Sequence, residues 1–321
     1  MRKSRGPLNG RNPVLKSPAE QVKYYLVCEG KDTERIYFET LERCREELGV
    51  HPRTGLVLLV RGYSEYRLTN PKSLLETVLK YKDESDRGVI SYRLLIDWIL
   101  DSIMERKGLV SPDKWTKGIR ISLYTVARKR MGVALEDTFS LTEAKAVCEK
   151  FSENLSQYEK DGWTEIVRDI PDMIEPVFAA YDPSKDKICL IVDRDKESFT
   201  DEQYKDVLNR CRETENMDFY PSNPCFEFWL LMHYDEVLKL DRNQLKENPK
   251  SGDGKKSPRY AEIEMRKLMP DYTKSAYDAE SLMKRIDRAV ENERAFCEDA
   301  DNLRFEIGSR VGILIRALRG Q

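Results

Sequence analysis

Three acidic residues stand directly after strongly apolar runs. Glu29 follows VKYYLVC (22–28) and precedes Gly30. Asp193 and Asp195 flank Arg194 immediately after ICLIV (188–192). A buried carboxylate is costly unless something positive compensates it, so acids so placed point to a bound cation. Side chains alternate along an extended strand, which lets Asp193 and Asp195 face one way and sends Arg194 to the opposite face. Three carboxylates on one edge make a hard-oxygen site suited to Mg²⁺ or Mn²⁺. Singly, Gly30 after Glu29 reads as a turn and Asp-x-Asp as a helix cap. Together, each behind an apolar strand, they form a candidate centre. Two further candidates follow. Glu227, in the first turn of a helix, is either another acid near the metal or a complement to the helix dipole. His233, next to Tyr234 at a helix end, is either a proton shuttle or a structural hydrogen-bonding group. Lys31 can meet a phosphate or remain solvated, and Phe226, Phe228 and Trp229 read as core packing.

The elements that must position these groups follow from hydrophobic spacing. VKYYLVC is a buried strand, and Asp32-Thr33 opens a helix carrying Ile36, Tyr37, Leu41 and Cys44. A second strand is expected at 56–60 and a helix from Asn70-Pro71 onward. That β-α-β-α order predicts a parallel sheet covered by helices, whose C-terminal strand ends share one edge, where sites form. The alternation pauses over about 84–180, where helical spacing and charged faces predict a helical insertion with no clear strand. Lys114, Lys117, Arg120, Arg128, Lys129 and Arg130 make part of it basic. The sheet resumes at 188–192, with a helix over 203–212 and a short strand near 217–220. Asn223 is expected to cap, and Pro224 to start, the helix of SNPCFEFWLLMHY. Residues 242–259 read as a polar, basic loop and the tail from Ala261 as helical. Residues 1–18 read as a disordered basic arm. The expected division is therefore an arm over 1–18, sheet halves over 19–83 and 181–241, an insertion over 84–180, and the basic loop with C-terminal helices over 242–321.

Composition narrows the function classes. The chain has 321 residues, 35% of them charged, with a net charge of −2, so any nucleic-acid surface must be local. No apolar run approaches the length of a membrane span and the N-terminus has no apolar signal region, which leads to the expectation of a cytoplasmic protein without a membrane partner. Seven scattered cysteines without a Cys-x-x-Cys pair read as reduced thiols, and two histidines give zinc little support. GDGKKS is not a phosphate-binding P-loop, so ATP hydrolysis is not expected of this chain.

Strand-Glu-Gly followed downstream by strand-Asp-x-Asp resembles the Toprim pattern of topoisomerases, primases and several nucleases. YLVCEGKDTERIYFETL, IVDRDKESF and SNPCFEFWLLMHY resemble successive blocks of RloB-like proteins. In the last block Asn223, Pro224, Phe226, Glu227, Trp229 and His233 all match. The resemblance covers roughly 20–80 and 185–240, with an echo at Tyr272 and Lys274. Glu29 and Asp193 stand 164 residues apart, more than the family pattern implies, and the excess falls to the insertion. The resemblance implies an α/β fold of Toprim type (Rossmann-like), with a large helical insertion and a helical C-terminal region. It also implies metal-dependent phosphodiester cleavage, with Glu29 as general base or metal-organising acid and Asp193 and Asp195 holding Mg²⁺. The implied partners are DNA or RNA, tRNA included, and an ABC-type ATPase in phage defence or abortive infection; a homo-oligomer is left open. The alternative is a non-catalytic, metal- or nucleic-acid-binding regulatory module. The matching blocks argue against a topoisomerase or primase.

Overall fold

The computed structural model describes residues 21–30, 32–60, 71–106, 114–155, 167, 181–254 and 257–321, with backbone alone at 60, 101–106 and 114–117. The basic arm, Lys31, the side chains of Lys114 and Lys117, and parts of the insertion lie outside the described residues. The strands are β1 (Val22–Cys28), β2 (Thr54–Val60), β3 (Val89–Ser91), β4 (Thr138–Ser140), β5 (Lys187–Asp193), β6 (Met217–Asn223) and β7 (Gly308–Ser309). Contacts divide the chain into two units. One holds the described residues up to Val60, Pro71–Leu75 and everything from Asp182 on; the other holds the described residues of Glu76–Tyr181.

The first unit is built on a five-stranded sheet of order β2-β1-β5-β6-β7. β2, β1, β5 and β6 run parallel, and β7 pairs antiparallel with β6. Tyr24, Leu26 and Cys28 of β1, with Cys189 and Ile191 of β5, join one apolar cluster with Tyr37, Phe38 and Leu41 of α1 (Thr33–Arg43). The alternate residues Tyr25, Val27, Ile188, Leu190 and Val192 are buried too. Both faces are thus covered, which is why these strands read as unbroken apolar runs rather than as an alternation. From β1 the chain proceeds outward to β2, and from β5 it proceeds the other way to β6. The adjacent C-terminal ends of β1 and β5 therefore form the switch point where an open α/β sheet places its ligands.

The other unit carries the end of α2 (Pro71–Asp86), α3 (Tyr92–Arg106), α4 (Lys114–Thr125), a π-helical turn at Val126–Met131 and α5 (Ala144–Leu155). Its described elements are mainly helical, as expected, but it also holds two short strands that the sequence did not show. β3 and β4 form a separate two-stranded antiparallel sheet, and runs as short as VIS and TFS leave no detectable period of two. Gly132 (φ 71°) closes the π-helical turn in the left-handed conformation that glycine tolerates best.

After β5 come α6 (Asp201–Glu213), which Thr200 caps, and, beyond β6, α7 (Phe226–Leu231). The expected cap is corrected here. Asn223 ends β6, the Asn223–Pro224 bond is cis and Cys225 occupies the cap position. The Asn223 amide instead donates to the carbonyls of Leu303 (2.6 Å) and Glu306 (2.9 Å). The 242–259 stretch is not loop throughout: Asp241 accepts from the Asn243 and Gln244 N–H groups and starts α8 (Arg242–Glu247). The tail forms α9 (Tyr260–Leu268), α10 (Ala279–Met283), α11 (Ile286–Glu293) and α12 (Val311–Leu318), interrupted by the unexpected edge strand β7. Among the described residues, no helix is long and apolar enough to cross a membrane.

Candidate active site

Parallel pairing of β1 with β5 sets Cys28 opposite Ile191, and the next residue, Glu29, donates its N–H to the Ile191 carbonyl at 3.0 Å. The Glu29 carboxylate in turn accepts the Asp193 N–H at 3.2 Å across 164 residues of chain. The Asp193 carboxylate accepts the Phe226 N–H at 2.8 Å and so ties the end of β5 to the start of α7. Glu29 and Asp193 are both half-buried at this edge.

Two more acids enter from helix starts. Glu34, in the first turn of α1, folds back to accept the Gly30 N–H at 3.0 Å. A Cβ on Gly30 would land on the Glu34 carboxylate, so glycine is what permits this approach. Glu227, in the first turn of α7, is 3% exposed; it meets the Lys274 ammonium at 2.7 Å and accepts from the Tyr272 hydroxyl at 3.3 Å. The Thr33 hydroxyl donates to the Lys274 carbonyl (3.1 Å) and the Tyr277 hydroxyl to the Thr33 carbonyl (2.7 Å), which pins the 272–277 segment to the start of α1.

Asp195 lies further out. Its carboxylate accepts the Glu197 N–H at 3.0 Å and faces Arg259 at 3.9 Å, while Arg259 pairs with Glu197 at 2.8 Å. Arg194 turns to the opposite side, as the alternation requires. It is 2% exposed, bonded to the Phe199 carbonyl and Asp201, and set against the Phe199 and Tyr204 rings. His233 is fully enclosed. Its Nδ1 lies 3.2 and 3.1 Å from the Trp229 and Leu230 carbonyls, and its Nε2 lies 3.1 Å from the Tyr37 hydroxyl. Burial pushes it down to about 4, so it is neutral near pH 7. These partners make it part of the aromatic core around Trp229.

The electrostatics of the centre are those of crowded acids. Burial, and then the charges of Glu34, Glu227 and Glu29, hold the Asp193 carboxyl well above the usual carboxylate range, with Lys274 a partial offset. Burial pushes Glu34 up to about 7, against the N–H groups it accepts from and with Glu227 adding to the rise. Burial works against the Glu227 charge as well, but Lys274 outweighs it and keeps that carboxyl below its ordinary value. Among the described residues, the Lys274 ammonium offsets the charges of Asp193, Glu34 and Glu227 together.

The donor set is all oxygen, and its mutual repulsion is what a divalent cation relieves, so in chemistry the residues fit Mg²⁺ or Mn²⁺. As placed, no three acid, histidine or cysteine side chains among the described residues enclose a single ion. Glu29, Asp193 and Glu34 each direct an oxygen to a backbone N–H, and Glu227 meets Lys274. Sequence spacing had singled out Glu29 and Asp193, which meet directly, and Asp195, which sits at the rim. It missed Glu34; the available signal was the glycine of Glu-Gly-Lys-Asp-Thr-Glu, which leaves room for a returning carboxylate. It also missed Arg259 as the partner of Asp195.

Residues 134–318, more than half of the chain, match the family model described as RloB-like protein. The match takes in Asp193, Asp195, Glu227, Tyr272 and Lys274; Glu29, Gly30 and Glu34 lie before it. No curated protein and no solved structure matches the chain.

Proposed function

The chain belongs to the RloB-like family, and from that premise we propose that it is a metal-dependent nuclease with a Toprim-type centre, cleaving phosphodiester bonds in DNA or RNA. The observation that carries the proposal is the Glu29 carboxylate on the Asp193 N–H, at the switch point of a parallel sheet and inside a group of mutually repelling acids. Glu29, Glu34, Asp193 and Asp195 are the oxygen donors assigned to Mg²⁺ or Mn²⁺. When bound, the metal would stabilise charge on the phosphate oxygens and activate water. Glu29 also steadies the end of β5, and is the acid assigned to take the proton of the attacking water. Lys274 holds Glu227 ionised. Its side chain is 57% exposed, so its remaining N–H donors can meet a phosphate oxygen. Arg259, 3.9 Å from Asp195 and paired with Glu197, is a second cation placed to meet phosphate. These groups contact phosphate and carry no base preference, so sequence or structure selection falls to substrate shape or to a partner. An ABC-type ATPase, in a phage-defence setting within the cytoplasm, is the partner we assign.

The test compares wild type, D193N and E29Q on plasmid, total tRNA and single strands, with Mn²⁺ and with EDTA. Metal-dependent cleavage of at least one substrate, lost in both variants, is the expected result. Equal cleavage by all three proteins would place the activity elsewhere. Absence of cleavage together with retained metal binding would favour the regulatory module, the reading to which the unclosed ligand shell and the Lys274–Glu227 pair lend weight.

A further inference from the structure

A cavity of about 410 Å³, apart from the carboxylate centre, lies between α8 and the segments around 295–297 and 306–307. That is within the size range of small-molecule sites. Its wall includes a stacked pair: the Arg242 guanidinium lies over the Phe296 ring at 4.9 Å from the centroid. Arg242 also donates to the Ala295 carbonyl at 3.1 Å, and Phe296 stands edge-on against Phe228 at 5.0 Å, so both members are anchored to the rest of the fold. Such planes are what unstacked nucleobases settle on. Around the pair stand three polar side chains that make no hydrogen bond or ion pair to the described residues: the Asn243 amide, the Lys246 ammonium and the Glu306 carboxylate. Lys246 follows Arg242 by four positions and so shares its face of α8.

We propose that this cavity binds a free nucleoside phosphate. The Arg242–Phe296 pair takes the base, Lys246 takes the phosphate, and Asn243 and Glu306 take the base edge or sugar hydroxyls. The chemistry calls for all three parts. A simple anion has no use for the stacked plane and is repelled by Glu306, and an apolar ligand would leave Lys246 and Glu306 desolvated and unpaired. The site is assembled without the carboxylate centre, so it stands or falls independently of nuclease activity. Phe296 nevertheless packs on Phe228, the residue after Glu227, which puts the cavity wall against the helix that carries that acid.

The experiment is calorimetric titration of the full chain in EDTA with AMP, GMP, CMP and UMP, the matching nucleosides, inorganic phosphate, and a short single strand. Saturable binding of at least one mononucleotide is expected, with the nucleoside and phosphate each weaker by about tenfold or more. R242A and K246A should each weaken it by ~10-fold, the scale of one lost stacking or phosphate contact, with D193N unchanged. R242K, which keeps the charge but loses the plane, should behave as R242A. Thermal melts identify any variant that fails to fold, and the remaining variants then decide. No binding of any mononucleotide, equal binding of phosphate alone, binding only of the single strand, or binding indifferent to both Arg242 and Lys246 would each overturn the proposal.

Discussion

At Gly30 and Glu34 a single missing Cβ decides whether a carboxylate reaches the centre. G30A should fold, since the displaced group is the far end of a flexible side chain, yet lose cleavage. The loss expected is on the order of 100-fold, the usual consequence of misplacing a group by about an ångström, and steady-state rates beside circular dichroism check it. Lys274 has a different duty. K274A leaves Glu227 buried without its cation, which in a fully buried pair costs about 3–5 kcal/mol. Because Lys274 is largely exposed, the expected loss of stability is smaller, about 1–2 kcal/mol by urea unfolding. His233 gives a pH signature of its own. Its folded value, about 4, lies below the ordinary 6.5. The unfolded chain therefore binds a proton that the native state refuses between those values. The contribution of His233 is fully present above about pH 6.5 and is lost as the pH falls toward 4, amounting to roughly 2 kcal/mol by pH 5. Glu34 and Asp193, held above their ordinary values, pull the other way over the same range, so the His233 contribution is read as a difference: the stability gap between wild type and H233Q in urea should shrink by about 2 kcal/mol from pH 7.5 to pH 5. An unchanged gap would assign the dependence to other groups.

The legible elements are those whose burial is continuous. β1 and β5 announce themselves because both sheet faces are covered, and their ends carry Glu29 and Asp193, which is why two members of the centre could be found by spacing alone. β7 could not be found this way. It is two residues long and exists because Gly308 lets the Cys297 carbonyl approach so closely that a Cβ would collide with backbone. G308A should therefore cost about 1–3 kcal/mol as an overpacking change, read as a lower urea midpoint; a neutral effect would show that the edge strand contributes little. The Asn223 error has a similar origin. Asn-Pro before an apolar helix is a sound local capping pattern, but the Leu303 and Glu306 carbonyls, 80 or more residues away, compete for the amide and win. Arg259 escaped because its role depends on which loops meet, and spacing along the chain does not encode that; Glu34 escaped because its turn back to Gly30, four residues away, breaks no apolar pattern and shows only in the missing Cβ. The short strands β3 and β4 carry too few residues for a period to show.

For the molecule as a whole, the crowding of Glu29, Glu34, Asp193 and Glu227 is a repulsion that a bound cation would relieve. A divalent ion that binds only the folded chain should stabilise it by about 2.7 kcal/mol at a hundredfold excess over its Kd. The melting temperature should therefore rise with Mn²⁺, return with EDTA and stay flat in D193N. The measurement that bears most directly on the central claim is the rate of phosphodiester cleavage at saturating Mn²⁺ by wild type and D193N, purified in parallel and matched for folding by circular dichroism. The expected result is a metal-dependent rate in wild type that falls to the EDTA background in D193N. A D193N rate equal to wild type would contradict the assignment of this carboxylate centre as the site of cleavage.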